Sequence, residues 1–94
     1  MICAVVGLTK AAALQYAKAG ISINVVAPAA IETDMFEAAT GGQDEAKAYI
    51  TGLHPIGRIG TPLEVANAVL FLSSDLASFT TGATLLVDGG YVAQ

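Results

Sequence analysis

Apolar positions near the amino terminus recur at helical spacing. Val5, Leu8, Ala12 and Tyr16 share a face, with Val6, Ala13 and Ala17 beside them. This predicts a helix over residues 4–19, favoured by its alanines and apolar over so broad a face that burial on more than one side is expected. Lys18 in the last turn and Gly20 just beyond it are stop signals. The period then changes to two. Ile21, Ile23 and Val25 alternate with Ser22, Asn24 and Val26, which predicts a strand over Ile21–Ala27 that Pro28 ends. Its last residues are apolar on both faces, the pattern of an interior parallel strand.

The stretch from Ala29 to Gly60 carries no sustained period. Asp34 is placed to cap a short helix, with Glu37 completing a capping box, and Thr33 is the alternative cap. Gly41-Gly42 breaks the chain, residues 44–52 read as a second short helix, and His54-Pro55 and Gly57 to Gly60 read as loop. Residues 34–60, small and mobile in composition, are expected to form a lid over a ligand. Thr61-Pro62-Leu63-Glu64 is the strongest local signal: an N-cap, a proline in the first helical position and a glutamate that reaches back to the cap. Val65, Val69, Leu72 and Leu76 follow on one face of a helix predicted to end near Ser74. Thr81-Gly82 is a turn, Ala83–Val87 a short strand, and Asp88-Gly89-Gly90 its end. The order is helix, strand, lid, helix, strand. A strand, crossover helix and second strand form one right-handed parallel α/β unit.

Composition narrows the picture. The chain has 94 residues, room for one domain over residues 1–94. With 54% apolar and 13% charged residues and a mean hydropathy of +0.64, it is not a disordered segment. A net charge of −4 with four basic residues argues against nucleic acid as a partner. One cysteine, Cys3, excludes an internal disulfide and a cysteine-built zinc site, and suits a reducing, cytoplasmic compartment. No apolar run reaches the roughly 18 residues of a membrane span, and no secretory signal is read at the amino terminus. So high an apolar fraction exceeds what a small domain can bury, so apolar surface that needs a partner is expected.

Five phrases, in order, resemble the short-chain dehydrogenase/reductase family. Val5-Val6-Gly7-Leu8-Thr9-Lys10 is similar to the helix that follows the family's Tyr-x-x-x-Lys pair. Ile23-Asn24-Val25-Val26-Ala27-Pro28 is similar to its sixth strand, and Ile31-Glu32-Thr33-Asp34-Met35 to the start of its substrate loop. Arg58-Ile59-Gly60-Thr61-Pro62-Leu63-Glu64-Val65-Ala66 resembles the lid exit and the next helix. Thr81-Gly82 through Val87-Asp88-Gly89-Gly90 resembles the last strand. The resemblance is to the carboxyl-terminal part of the family. It implies a fragment of a Rossmann-like, doubly wound parallel sheet. None of the glycine pairs has the strand before and helix after that a pyrophosphate-cradling turn requires.

By the same resemblance the parent reaction is hydride transfer between NAD or NADP and an alcohol or carbonyl. Pro28, Ala29, Ile31 and Thr33 stand where the family's loop meets the nicotinamide half of the cofactor. The Ile31 backbone corresponds to the carboxamide contact and the Thr33 hydroxyl to a phosphate contact, with Ala29 in place of the usual glycine. The family's catalytic lysine falls on Ile2 and its tyrosine ahead of Met1. Lys10 is not that lysine, and Tyr16, Tyr49 and Tyr91 have no lysine four places on. No catalytic residue is therefore assigned, and neither turnover nor more than weak cofactor binding is expected of this chain alone. A split enzyme completed by a partner chain would still lack the lysine unless the partner overlapped Ile2. The alternative is a non-catalytic interaction module, because the first helix and the helix after Thr61 correspond to family subunit interfaces. Either way a homo-oligomer is expected.

The remaining chemistry-bearing residues read as structural. His54 has no Cys, His or carboxylate cluster at metal spacing and reads as a loop histidine. Asp34, Glu37, Asp44 and Glu45 read as helix-start charges, Arg58 as exposed or structural, and Cys3 as a packed thiol.

Overall fold

The computed structural model describes residues 2–94, with the backbone alone for Ile2, so the side chain at the family's lysine position lies outside the described residues. The elements are α1 (Ile2–Tyr16), β1 (Val25–Pro28), α2 (Asp34–Thr40), α3 (Asp44–Gly52), α4 (Pro62–Leu72) and β2 (Thr84–Val87). They fall into two compact units, one of Met1–Ala27 with Asn67–Leu86, the other of Pro28–Ala66 with Val87–Gln94.

In the first unit α1 tightens into a short 3-10 turn over Ala17–Ala19 and stops at Gly20, whose φ of 80° is left-handed. The buried face of α1 is Thr9 and Ala13, one turn apart. The Thr9 hydroxyl disposes of its polarity by donating to Val5 O at 2.8 Å. This corrects the expectation of broad burial: Val5, Leu8 and Tyr16 are exposed. Ala13 is the small residue that lets the backbone at Gly82 approach, where an added Cβ would meet the Ala13 Cβ at 3.5 Å.

β1 and β2 form a two-stranded sheet. Val25 N donates to Ala83 O and Ala29 N to Val87 O, so the partners advance together and the pairing is parallel. The same register explains why Pro28 lies inside β1 rather than after it. Positions 25 and 29 direct their N–H groups to β2, so position 28 faces the other edge, where a missing donor breaks no pair. β1 is also shorter than the predicted Ile21–Ala27. Ahead of Val25 one backbone bond, from Gly82 N to Ile23 O at 2.8 Å, continues the pairing, and side-chain links supply the rest. Asn24 Oδ1 accepts from Ala83 N at 3.0 Å, Asn24 Nδ2 donates to Thr80 O at 3.3 Å, and the Thr81 hydroxyl accepts from Ile23 N at 3.1 Å. At its other end α4 stops at Leu72, two residues short of the predicted limit, and Ser74 N already bonds Phe71 O in a tightened turn. A 3-10 turn over Asp75–Ala77, not predicted, follows and buries Ala77.

In the second unit α2 is capped by Thr33, whose hydroxyl accepts from Phe36 N at 3.3 Å. Of the two candidate caps, Thr33 takes the role and Asp34 is the first helical residue. Thr33 is already extended, as a cap must be, at φ −144° and ψ 169°. Phe36 and Thr40 are the buried residues of this helix. α3 spans residues 44–52 as predicted, and Lys47 on it pairs with Glu37 at 2.7 Å. The capping box at α4 is complete. Glu64 N donates to the Thr61 hydroxyl at 3.3 Å, and Thr61 N donates to Glu64 Oε1 at 3.0 Å.

Candidate cofactor-facing site

The Pro28–Thr33 loop leaves the carboxyl end of β1, and three of its N–H groups have partners. Ala29 N donates to Val87 O at 3.3 Å, Ala30 N to His54 Nε2 at 3.4 Å and Glu32 N to Gly60 O at 2.8 Å. Ala30 O in turn accepts from Gly60 N at 3.0 Å, which makes Ile31 and Gly60 an isolated parallel bridge. In a parallel bridge the flanking residues make the bonds, and the bridged residue points its own groups the other way. Ile31 N–H accordingly has no acceptor among the described residues. Gly60 gives this approach its room. A Cβ there would lie 2.8 Å from the Ile31 side-chain tip.

Pro28, Ala29, Ala30, Ile31 and Thr33 line a cleft of about 570 Å³ with Met35, Phe36 and Ala39 of α2 and Pro62 and Val65 of α4. All four cofactor-facing residues assigned from sequence therefore border one cavity. No lining residue is charged, so the cleft suits a flat apolar ring and offers nothing to neutralise a pyrophosphate. The small Ala29 and Ala30 leave room for a ring against the backbone. The Thr33 hydroxyl accepts from Phe36 N and donates to Ile31 O at 3.3 Å, so its proton reaches a phosphate only by leaving Ile31. A second cleft of about 550 Å³, in the first unit, is bordered by Ser22, Ile23, Asn24, Val26, Val69, Leu72 and Ser73.

His54 is the residue that sequence reasoning undervalued. It is 4% exposed, Nδ1 lies 2.8 Å from Ile50 O, and its ring sits 5.4 Å from that of Tyr91 at 45°. The available signal was its position, four residues after Ile50 at the end of a predicted helix. There a histidine ring can fold back onto the last carbonyls. The other polar candidates are placed elsewhere. Arg58 makes a two-pronged contact with Glu64, at 2.7 Å and 2.9 Å, rather than facing the cleft. That guanidinium, with the Thr61 N–H, lowers the Glu64 carboxyl from 4.5 to about 2. Asp34, Glu37, Asp44 and Glu45 lie in the first turns of α2 and α3. Cys3 is exposed, not packed. Among the described residues no three His, Cys, Asp or Glu side chains gather as a metal site, and no helix is long and apolar enough to cross a membrane.

Comparison with known proteins gives this geometry its setting. The family model described as "Enoyl-(Acyl carrier protein) reductase" matches residues 3–92. The chain belongs to the short-chain dehydrogenase/reductase family. It is 46% identical over 90 residues to 2,5-dichloro-2,5-cyclohexadiene-1,4-diol dehydrogenase of Sphingobium indicum, covering 96% of this chain and 36% of that protein. It is 50% identical over 90 residues to cyclohexanol dehydrogenase of an Acinetobacter species, covering 96% and 34%. Among solved structures, that of ElxO with NADP bound superposes with a TM-score of 0.86 at 42% identity, over 97% of this chain and 37% of that one. The chain thus spans about a third of the length of the relatives it matches. Its fold is a fragment of their Rossmann-like α/β sheet.

Proposed function

We propose that this chain is the carboxyl-terminal portion of an NAD(P)-dependent short-chain oxidoreductase and supplies one wall of the nicotinamide and substrate cleft. The observation that carries this reading is the free Ile31 N–H on a loop that borders an apolar cleft. A nicotinamide carboxamide oxygen is an acceptor suited to that donor, and the alanines and Val65 suit the ring. When bound, the cofactor supplies or receives the hydride. This chain's residues orient the ring through Ile31, exclude water through Met35, Phe36 and Val65, and leave the phosphates to groups it does not contain. The alcohol or carbonyl substrate is supported by the names of the relatives, which include a cyclohexanol dehydrogenase.

The test is an amide-resolved titration of the chain with NADH and NADPH. Ile31 and Thr33 amides are expected to shift, with a dissociation constant in the millimolar range, about −4 kcal/mol. Shifts confined to other residues, or micromolar binding, overturn the reading. No turnover is expected from the chain alone on a panel of alcohols and ketones, because no tyrosine in it stands four places before a lysine.

A second reading, an interaction module that assembles with copies of itself, is favoured by one further observation. Leu14 and Leu76 are each 82% exposed, and Phe79 is wholly so.

A further inference from the structure

His54 joins two segments that no backbone bond joins. Its Nδ1 is 2.8 Å from Ile50 O, an atom that can only accept, and its Nε2 is 3.4 Å from Ala30 N, an atom that can only donate. One neutral tautomer satisfies both contacts, with the proton on Nδ1 and the lone pair on Nε2. Free imidazole side chains favour the opposite tautomer, so the site selects against the intrinsic preference. The ring is 4% exposed and lies against Tyr91, which leaves water little access to replace either partner. At 3.4 Å the Ala30 bond is the longer of the two, hence the one that yields first.

We infer that His54 is a positioning residue for the Pro28–Thr33 loop, its Nε2 occupying the Ala30 N–H so that of these two neighbouring donors only Ile31 is left free. With Ala30 released, two adjacent N–H groups compete for one acceptor and the loop loses its fixed register against α3. This rests on the reading of Ile31 as the carboxamide contact. Its test uses no cofactor, so the failure of either reading is seen apart from the other.

The experiment is nitrogen-resolved NMR on the 94-residue chain at a pH of about 8, above the ordinary imidazole range. The expected ring signature is a protonated Nδ1 and an unprotonated, hydrogen-bonded Nε2. A ring protonated at Nε2, or one with averaged shifts, overturns the proposal. Amide exchange is the second readout. His54→Leu keeps an apolar side chain of similar bulk and removes both bonds, and is expected to raise Ala30 exchange about five- to tenfold. His54→Gln, whose side-chain oxygen accepts, is expected to restore Ala30 protection. The Lys47 amide, held by Gln43 O in α3, reports whether the unit stays folded. Unchanged Ala30 protection in His54→Leu, or no restoration by His54→Gln while Lys47 stays protected, overturns the proposal. Should both variants lose Lys47 protection, the wild-type ring signature decides.

Discussion

Glu64 does three jobs with one carboxylate. It accepts from Thr61 N, binds Arg58 through both oxygens, and sits where the start of α4 favours negative charge. Its carboxyl is lowered to about 2, first by Arg58 and then by the Thr61 N–H. A depressed carboxyl stabilises the fold above its unfolded value of 4.5, and that contribution is lost as pH falls through about 2. The urea midpoint of the wild-type chain is therefore expected to fall between about pH 5 and pH 2 by more than that of Glu64→Gln, whose side chain does not titrate. Equal falls refute the assignment. Glycines give a second contrast. Gly89 has φ +59° and an added Cβ would lie 2.6 Å from Ile56 Cγ2, whereas Gly57 has φ +86° with open space around it. Gly57→Ala carries only left-handed strain, about 1 kcal/mol, and Gly89→Ala adds a clash at a branched carbon, for about 3 kcal/mol in all. Chemical denaturation of the two variants separates these costs.

At the scale of elements, legibility followed the range of the interactions. The α4 start was readable because Thr61, Pro62 and Glu64 act within one turn. α3, which has no side-chain cap, was readable in its bounds from the Gly41-Gly42 break before it and the His54-Pro55 loop after it. The start of β1 was not. Ile21 to Asn24 alternate as a strand does, but strand pairing is a property of the partner, and there a single backbone bond from Gly82 N to Ile23 O is supplemented by side chains. The α2 cap stayed open between Thr33 and Asp34 because both make good caps, and the backbone decides between them. That Pro28, Ala29, Ile31 and Thr33 belong together came from a family resemblance in one short loop, whereas His54 needed three dimensions: Ala30 lies twenty-four residues away. The Asn24 bonds yield a test at this scale. Asn24→Leu removes both, leaving the Ala83 N–H and Thr80 C=O without that partner, and is expected to cost about 2 kcal/mol. Asn24→Asp keeps the acceptor for Ala83 but sets a carboxylate against a carbonyl, so it is expected to be destabilising as well. A urea midpoint unchanged in Asn24→Leu shows that the pairing from Val25 onward holds this end of the sheet without help.

For the whole chain the question is what its apolar residues are buried against. Among the described residues the buried hydrophobic ones are Ala13, Phe36 and Ala77, and no large side chain is fully enclosed. The sheet has two strands, and an isolated pair is marginal in water without further packing. On β1 the odd positions bond β2, which leaves the N–H of Val26 on the edge that no described strand covers. An uncovered apolar edge pairs readily with another chain. Leu8 and Leu14 on α1, and Leu70 on α4, are exposed as well. We therefore expect the chain to associate with itself, or to aggregate, at micromolar concentration. The informative variants are Leu14→Lys and Phe79→Ser. Both side chains are exposed, so neither change opens a cavity, whereas Val25 is half-buried and a charge there disturbs folding and association together. Sedimentation velocity is expected to show species heavier than 9.5 kDa for the wild type and a shift toward the monomer in Leu14→Lys or Phe79→Ser. A monodisperse wild-type monomer that unfolds cooperatively would show that the half-buried side chains of the two units suffice, and would remove the case for self-association.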